Sequence, residues 1–155
     1  MAGATAGPGG PGDRIEIRLP SRADYLGAVR SVVRGFVEEC LDARLPEDEV
    51  NAIQIALQEA CINVVRHAHR GDPSKPLVIG LRAVPGRLEI EVEDFGPGLP
   101  PEDRRPPDPD PENPREGGYG LFILRQTMDE VVSARRDGKH VLTLVKRLPP
   151  RGGSA

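Results

Sequence analysis

Glu59-Ala60-Cys61-Ile62-Asn63-Val64-Val65-Arg66-His67-Ala68 is the stretch whose reading decides the fold. Its apolar positions continue a stripe that begins at Val50 and runs through Ile53, Leu57, Ala60, Cys61, Val64 and Ala68, the three-and-four spacing of an amphipathic helix. Pro46-Glu47-Asp48-Glu49 opens that helix, with proline in the first turn and acids at the positive dipole end. Gly71-Asp72-Pro73 stops it. Each step of four residues turns about 400° and rises about 6 Å. Glu59, Asn63 and His67 therefore drift slowly around one face, with Glu59 nearly opposite the stripe and His67 at its edge. Such a series suits a solvated face. It also suits a cleft wall, where the Asn63 amide oxygen ligates Mg²⁺ and Glu59 accepts a proton. His67 either touches a phosphate or caps the edge of the core.

N-terminal to this helix, Ile15, Ile17 and Leu19 alternate with charged residues, the period-two pattern of a half-buried strand. Pro20 breaks the strand and Ser21 is placed as a helix N-cap. Leu26, Val29, Val33, Phe36, Val37 and Cys40 then predict an amphipathic helix to about Asp42. C-terminal to it, residues 77–84 and 87–94 predict an antiparallel hairpin turned at Pro85-Gly86. Residues 121–128 predict a short helix. Residues 131–134 and 140–146 predict a last hairpin turned at Asp137-Gly138. Strands do not alternate singly with helices. The expected class is α+β: a two-layer sandwich with helices on one face of a mixed, mainly antiparallel sheet.

Two more motifs carry chemistry. Asp94-Phe95-Gly96-Pro97-Gly98 leaves a strand for a loop. As plain turn chemistry this needs no function; as a site, Asp94 accepts a hydrogen bond from the exocyclic amine of adenine while Gly96 and Gly98 let backbone approach the base. Gly117-Gly118-Tyr119-Gly120 precedes Leu121-Phe122-Ile123-Leu124. It is either a hinge or a phosphate cradle in which free backbone N–H groups meet an anion at a helix start. Gly118, Gly120 and Leu121 join the candidate ATP-binding set. Between the motifs, residues 100–114 hold seven prolines, which rules out a helix or central strand. A loop of that length, residues 99–117, is expected to act as a lid over the phosphates, with Arg115 at its base placed to neutralise a γ-phosphate.

Other classes fall away. The glycine run is not a dinucleotide fingerprint, no Gly-Lys-Ser/Thr Walker loop occurs, and the Asp-Phe-Gly string lacks the catalytic loop of eukaryotic-type kinases. A net charge of −3 and the absence of tryptophan argue against nucleic acid as a partner. No stretch approaches the apolar length of a membrane helix. Residues 1–13 and 148–155 read as tails, residues 1–12 carry no signal-peptide pattern, and Cys40 and Cys61 read as reduced buried thiols. A cytoplasmic protein is expected.

In combination, the Glu59/Asn63 helix resembles the N box of the GHKL (histidine kinase-like) ATPase superfamily. Asp94-x-Gly96-x-Gly98 resembles its G1 box, and Gly118-x-Gly120 its G2 box. Thr143 matches a threonine that in this family helps hold the adenine-binding aspartate or its water. The resemblance spans residues 14–147. Within the superfamily the chain is similar to the anti-sigma-factor serine/threonine-protein kinases of the RsbW/SpoIIAB type. That resemblance implies ATP and Mg²⁺ as cofactors, Glu59 as general base, Asn63 on Mg²⁺ and Asp94 on adenine. It further implies a STAS-domain anti-anti-sigma protein as substrate, a sigma factor as competing partner and a homodimer. An alternative is a non-catalytic, ATP-gated partner-binding module. One departure is that the lid arginine expected beside the glycine pair is replaced by Glu116, with Arg115 one place earlier.

Overall fold

A computed structural model describes residues 13–41, 44–98, 108, 110–112 and 120–150. The alternating N-terminal segment forms β1 (Ile15–Pro20). A 3₁₀ turn (Ala23–Tyr25) leads into α1 (Leu26–Cys40). Ser21 is not a helix cap: no side-chain cap hydrogen bond forms at either helix start, and Ser21 is buried against His69. The helix that opens with the acidic turn is α2 (Glu47–Asn63), continued by a π-helical turn (Val64–Ala68). β2 (Pro76–Val84) and β3 (Arg87–Asp94) form the expected hairpin, with Gly86 at φ +78° in its turn. α3 (Gly120–Thr127), β4 (Glu130–Arg136) and β5 (Lys139–Arg147) complete the chain. Asp137 and Gly138 both take positive φ, 51° and 77°, as a two-residue type I′ hairpin turn demands.

The sheet has the order β1-β2-β3-β5-β4, and every pairing is antiparallel. The expectation of a mixed sheet is therefore corrected. β3 and β4 run in the same direction, but the β4–β5 hairpin inserts β5 between them, so the two parallel strands never pair. All three helices lie on one face. Val29, Val33 and Phe36 of α1, Ile53 and Leu57 of α2 and Leu124 of α3 pack against Leu77, Ile79, Leu81, Leu88, Ile90, Val92 and Leu144 of the sheet. Burying each such side chain stabilises the fold by about 1.5–3 kcal/mol. This single core holds the loops at the end of β3 against the ends of α2 and α3.

The opposite face is charged. Glu89, Glu91 and Glu93, alternating with the buried Leu88, Ile90 and Val92, pair with Arg14, Arg82, Arg87, Arg136 and Lys139. Gly80 makes room for this: a Cβ there would lie 2.2 Å from Arg14 Nε.

Candidate functional site

Glu59 and Asn63, one turn apart on α2, are both half-buried. They face the first residue of α3. A Cβ built on Gly120 would sit 3.2 Å from Asn63 Nδ2, 3.4 Å from Asn63 Oδ1 and 3.4 Å from Glu59 Oε2. The side opposite the apolar stripe of α2 is therefore a wall facing the start of a second helix. Among the described residues neither side chain has a hydrogen-bond partner, and a carboxylate and an amide stand together beside the N-terminal N–H groups of α3. Leu121 is half-buried and packs on the core beside them.

Beyond Asn63 the π-helical turn resets the direction in which side chains point. His69 N–H donates to Val64 O at 2.8 Å, one residue beyond the α-helical interval. The residue above Val64 is thus His69, and it inherits the buried direction. The residue above Asn63 becomes Ala68. His67 is left exposed and outside the cluster, so its expected place in the Glu59–Asn63 line is corrected: the extra residue in the turn breaks the four-residue repeat. His69, only 1% exposed, accepts from Phe95 N–H at Nε2 (3.0 Å) and meets the Ser21 hydroxyl at Nδ1. With Nε2 accepting, Nδ1 carries the proton and donates to Ser21 Oγ. Burial pushes the His69 pKa down, which keeps this neutral tautomer. No sequence pattern marks His69, because its burial depends on the π turn.

Asp94 ends β3, 2% exposed. Its Oδ1 accepts from Gly96 N–H at 2.6 Å and its Oδ2 lies 2.9 Å from His140 Nδ1. The far nitrogen of His140 is 2.7 Å from Ser133 Oγ. Arg135 donates to the Gly96 carbonyl at 2.8 Å. Both glycines are explained by neighbours within the protein. A Cβ on Gly96 would lie 2.5 Å from Ala68 Cβ, and one on Gly98, at φ +81°, would lie 2.7 Å from His140 Cδ2. The loop thus threads between the end of α2 and the imidazole of β5.

Thr143 does not reach this group. β3–β5 register puts Thr143 opposite Glu91, while His140 stands opposite Asp94. Successive residues of a strand point to opposite faces, so Thr143, three positions from His140, projects with the charged face. The assignment of Thr143 to the aspartate is therefore corrected in favour of His140. The sequence carries both residues on one strand, and only the non-local register chooses between them.

Arg115, Gly118 and most of the 99–117 lid lie outside the described residues, as do residues 1–12 and 151–155. Cys40 and Cys61 are free thiols. Burial pushes the Cys61 thiol up to about 12. Among the described residues no helix is long and apolar enough to cross a membrane.

An antiparallel sheet under three helices, with a carboxylate, an amide and a helix start converging at one end, defines a two-layer α/β sandwich with a polar cluster at the mouth of its helical layer. The chain belongs to the family described as the histidine kinase-like ATPase domain, whose model matches residues 19–146. Curated relatives narrow the class. The chain is 32% identical over 126 residues to the serine-protein kinase RsbW of Bacillus subtilis (strain 168), covering 77% of this chain and 76% of that protein. It is 30% identical over 125 residues to the serine-protein kinase RsbW of Bacillus licheniformis, with the same coverage. The chain is accordingly a protein kinase domain that uses ATP. Among solved structures, the RsbU and RsbW domains of Rv1364c from Mycobacterium tuberculosis superpose with a TM-score of 0.62 at 20% identity. That match covers 90% of this chain and 33% of the other. The histidine kinase domain of the Erythrobacter litoralis EL346 blue-light activated histidine kinase gives 0.52 at 24% identity, covering 83% and 61%. These two likenesses speak for the fold.

Proposed function

We propose that this protein transfers the γ-phosphoryl group of ATP to a serine of a STAS-type anti-anti-sigma protein, within a partner switch that also engages a sigma factor. The observation that carries this reading is the convergence of Glu59 and Asn63 on Gly120, from segments nearly sixty residues apart. Glu59 accepts the proton of the attacking serine hydroxyl. The serine oxygen bonds to the γ-phosphorus as the bridging β–γ oxygen bond breaks, and ADP leaves. Positioning and charge stabilisation supply most of the acceleration in such transfers. The free N–H groups at the start of α3, with Gly118 and Gly120, receive the phosphates, Arg115 neutralises the γ-phosphate, and Asp94 accepts from the adenine amine.

A divalent cation fits the donor set. Among the described residues no group of three or more His, Cys, Asp or Glu could form a protein-only metal cage. The Asn63 amide is the kind of single oxygen ligand that Mg²⁺ uses when phosphates and waters complete its shell. Mg²⁺ would supply charge neutralisation on the phosphates. The reading includes a homodimer and cytoplasmic residence.

The test is phosphotransfer from radiolabelled ATP to a candidate STAS protein, wild type against Glu59→Ala. Loss of one general base costs about 10²–10⁴ in rate, so label on the partner should nearly vanish while ATP binding persists. Absence of label with wild type, with ATP still bound, would leave the non-catalytic partner-binding module in its place.

A further inference from the structure

We propose that His140 is the positioning residue for Asp94, and that nucleotide affinity runs through this contact. The proposal rests on Asp94 as the adenine acceptor. His140 is 5% exposed and stands on β5 directly opposite Asp94 of β3, with Nδ1 2.9 Å from Oδ2. A carboxylate at the last residue of a strand has two side-chain torsions, and a buried one needs donors to hold it. Each of its oxygens has two lone-pair sites. Gly96 N–H occupies one on Oδ1 and His140 one on Oδ2, and among the described residues a second site remains on each oxygen for an N–H donor of a ligand. Remove His140 and Oδ2 loses its protein donor, so the carboxylate is free to turn away.

The imidazole is itself fixed from three sides. Ser133 Oγ engages Nε2, the backbone of Gly98 lies against Cδ2, and the β4–β5 hairpin sets its height. Arg135, two residues beyond Ser133 on the same face of β4, ties the Gly96 carbonyl down. The last hairpin is thus the support on which the Asp94 loop rests. Among the described residues, Asp94 of β3 and Ser133 of β4 are the polar side chains hydrogen-bonded to His140, and Arg135 of β4 meets the Asp94 loop.

The experiment is an ATP titration by calorimetry on the full chain, paired with thermal melts. The variants are His140→Ala, His140→Asn, His140→Gln, Asp94→Asn and the double variant Asp94→Asn/His140→Ala. The asparagine amide nitrogen reaches where Nδ1 lies, whereas glutamine reaches toward Nε2. His140→Ala and His140→Gln should weaken ATP binding about tenfold or more, the scale of a hydrogen bond to a charged group. His140→Asn should stay within about threefold of wild type, and His140→Ala should add nothing in the Asp94→Asn background. Should His140→Ala fail to fold, the Asn and Gln variants carry the comparison. Equal affinities for Asn and Gln, or a full additional loss on top of Asp94→Asn, overturn the positioning role. Unchanged ATP affinity in Asp94→Asn overturns the adenine reading beneath it, a result distinct from a loss with Asp94→Asn and none with His140→Ala, which overturns His140 alone.

Discussion

Gly96 rests directly on Ala68. A methyl group at Gly96 would fall 2.5 Å from Ala68 Cβ and 2.8 Å from its Cα, closer than any real contact. The loop that carries Asp94 and the π turn that ends α2 are therefore in backbone contact, and each limits where the other can go.

Gly96→Ala is expected to destabilise the protein by about 1–3 kcal/mol, the range for forcing an extra carbon into a packed site. Because the clash involves backbone, Ala68→Gly should restore only part of the loss. Urea midpoints of the two single variants and the double variant check this. Full additivity of the two substitutions would show that the residues do not press on each other.

Gly120→Ala separates function from folding. The added methyl would sit 3.2 Å from Asn63 and 3.4 Å from Glu59, tight but against side-chain atoms. Stability should change by less than about 1 kcal/mol, since alanine also favours the helix. ATP-dependent phosphotransfer should fall tenfold or more, because the methyl occupies the space between the two polar groups. Activity retained at wild-type level would place the reacting phosphate elsewhere.

His69 ties acid sensitivity to one buried ring. Burial lowers its pKa below the ordinary value of 6.5. Above that value the folded and unfolded chains both hold it neutral, and its contribution is complete. As pH falls through 6.5 the unfolded chain takes up the proton first, so stability is lost progressively toward the folded-state pKa. Urea denaturation from pH 7.5 to 5.5 should show the wild type losing stability faster than His69→Gln. A gap between the two that does not change with pH would mean that the ring does not titrate in this range.

Ser21→Ala probes the other side of the same ring. It leaves the buried Nδ1–H without an acceptor, which costs about 1–3 kcal/mol. The effect should appear in thermal melts and should be absent when Ser21→Ala is made in a His69→Leu background.

Cys61 is expected to resist iodoacetamide at pH 8 in the native protein. Its thiol is fully buried and pushed up to about 12, so thiolate is scarce and unreachable. Cys40, half-buried at the end of α1, should label first. Mass spectrometry of native against urea-unfolded protein distinguishes them; equal labelling of both cysteines in the native state would contradict the packing of α2.

Local information along the chain determined the elements. The alternation at Ile15, Ile17 and Leu19, the stripe from Val50 to Val64 and the Pro85-Gly86 and Asp137-Gly138 turns are each written within a short segment of chain. The forces that read them, side-chain periodicity and backbone sterics, are equally local. Tertiary structure decided which polar side chains meet. His69 rather than His67 turns inward because a hydrogen bond inserts one residue into the end of α2. His140 rather than Thr143 faces Asp94 because of the register between β3 and β5. The second choice depends on a strand 46 residues away, where a one-residue slip reverses the face that a side chain presents; the first is made within the turn, but His69 is held there by Ser21 and Phe95 from distant segments.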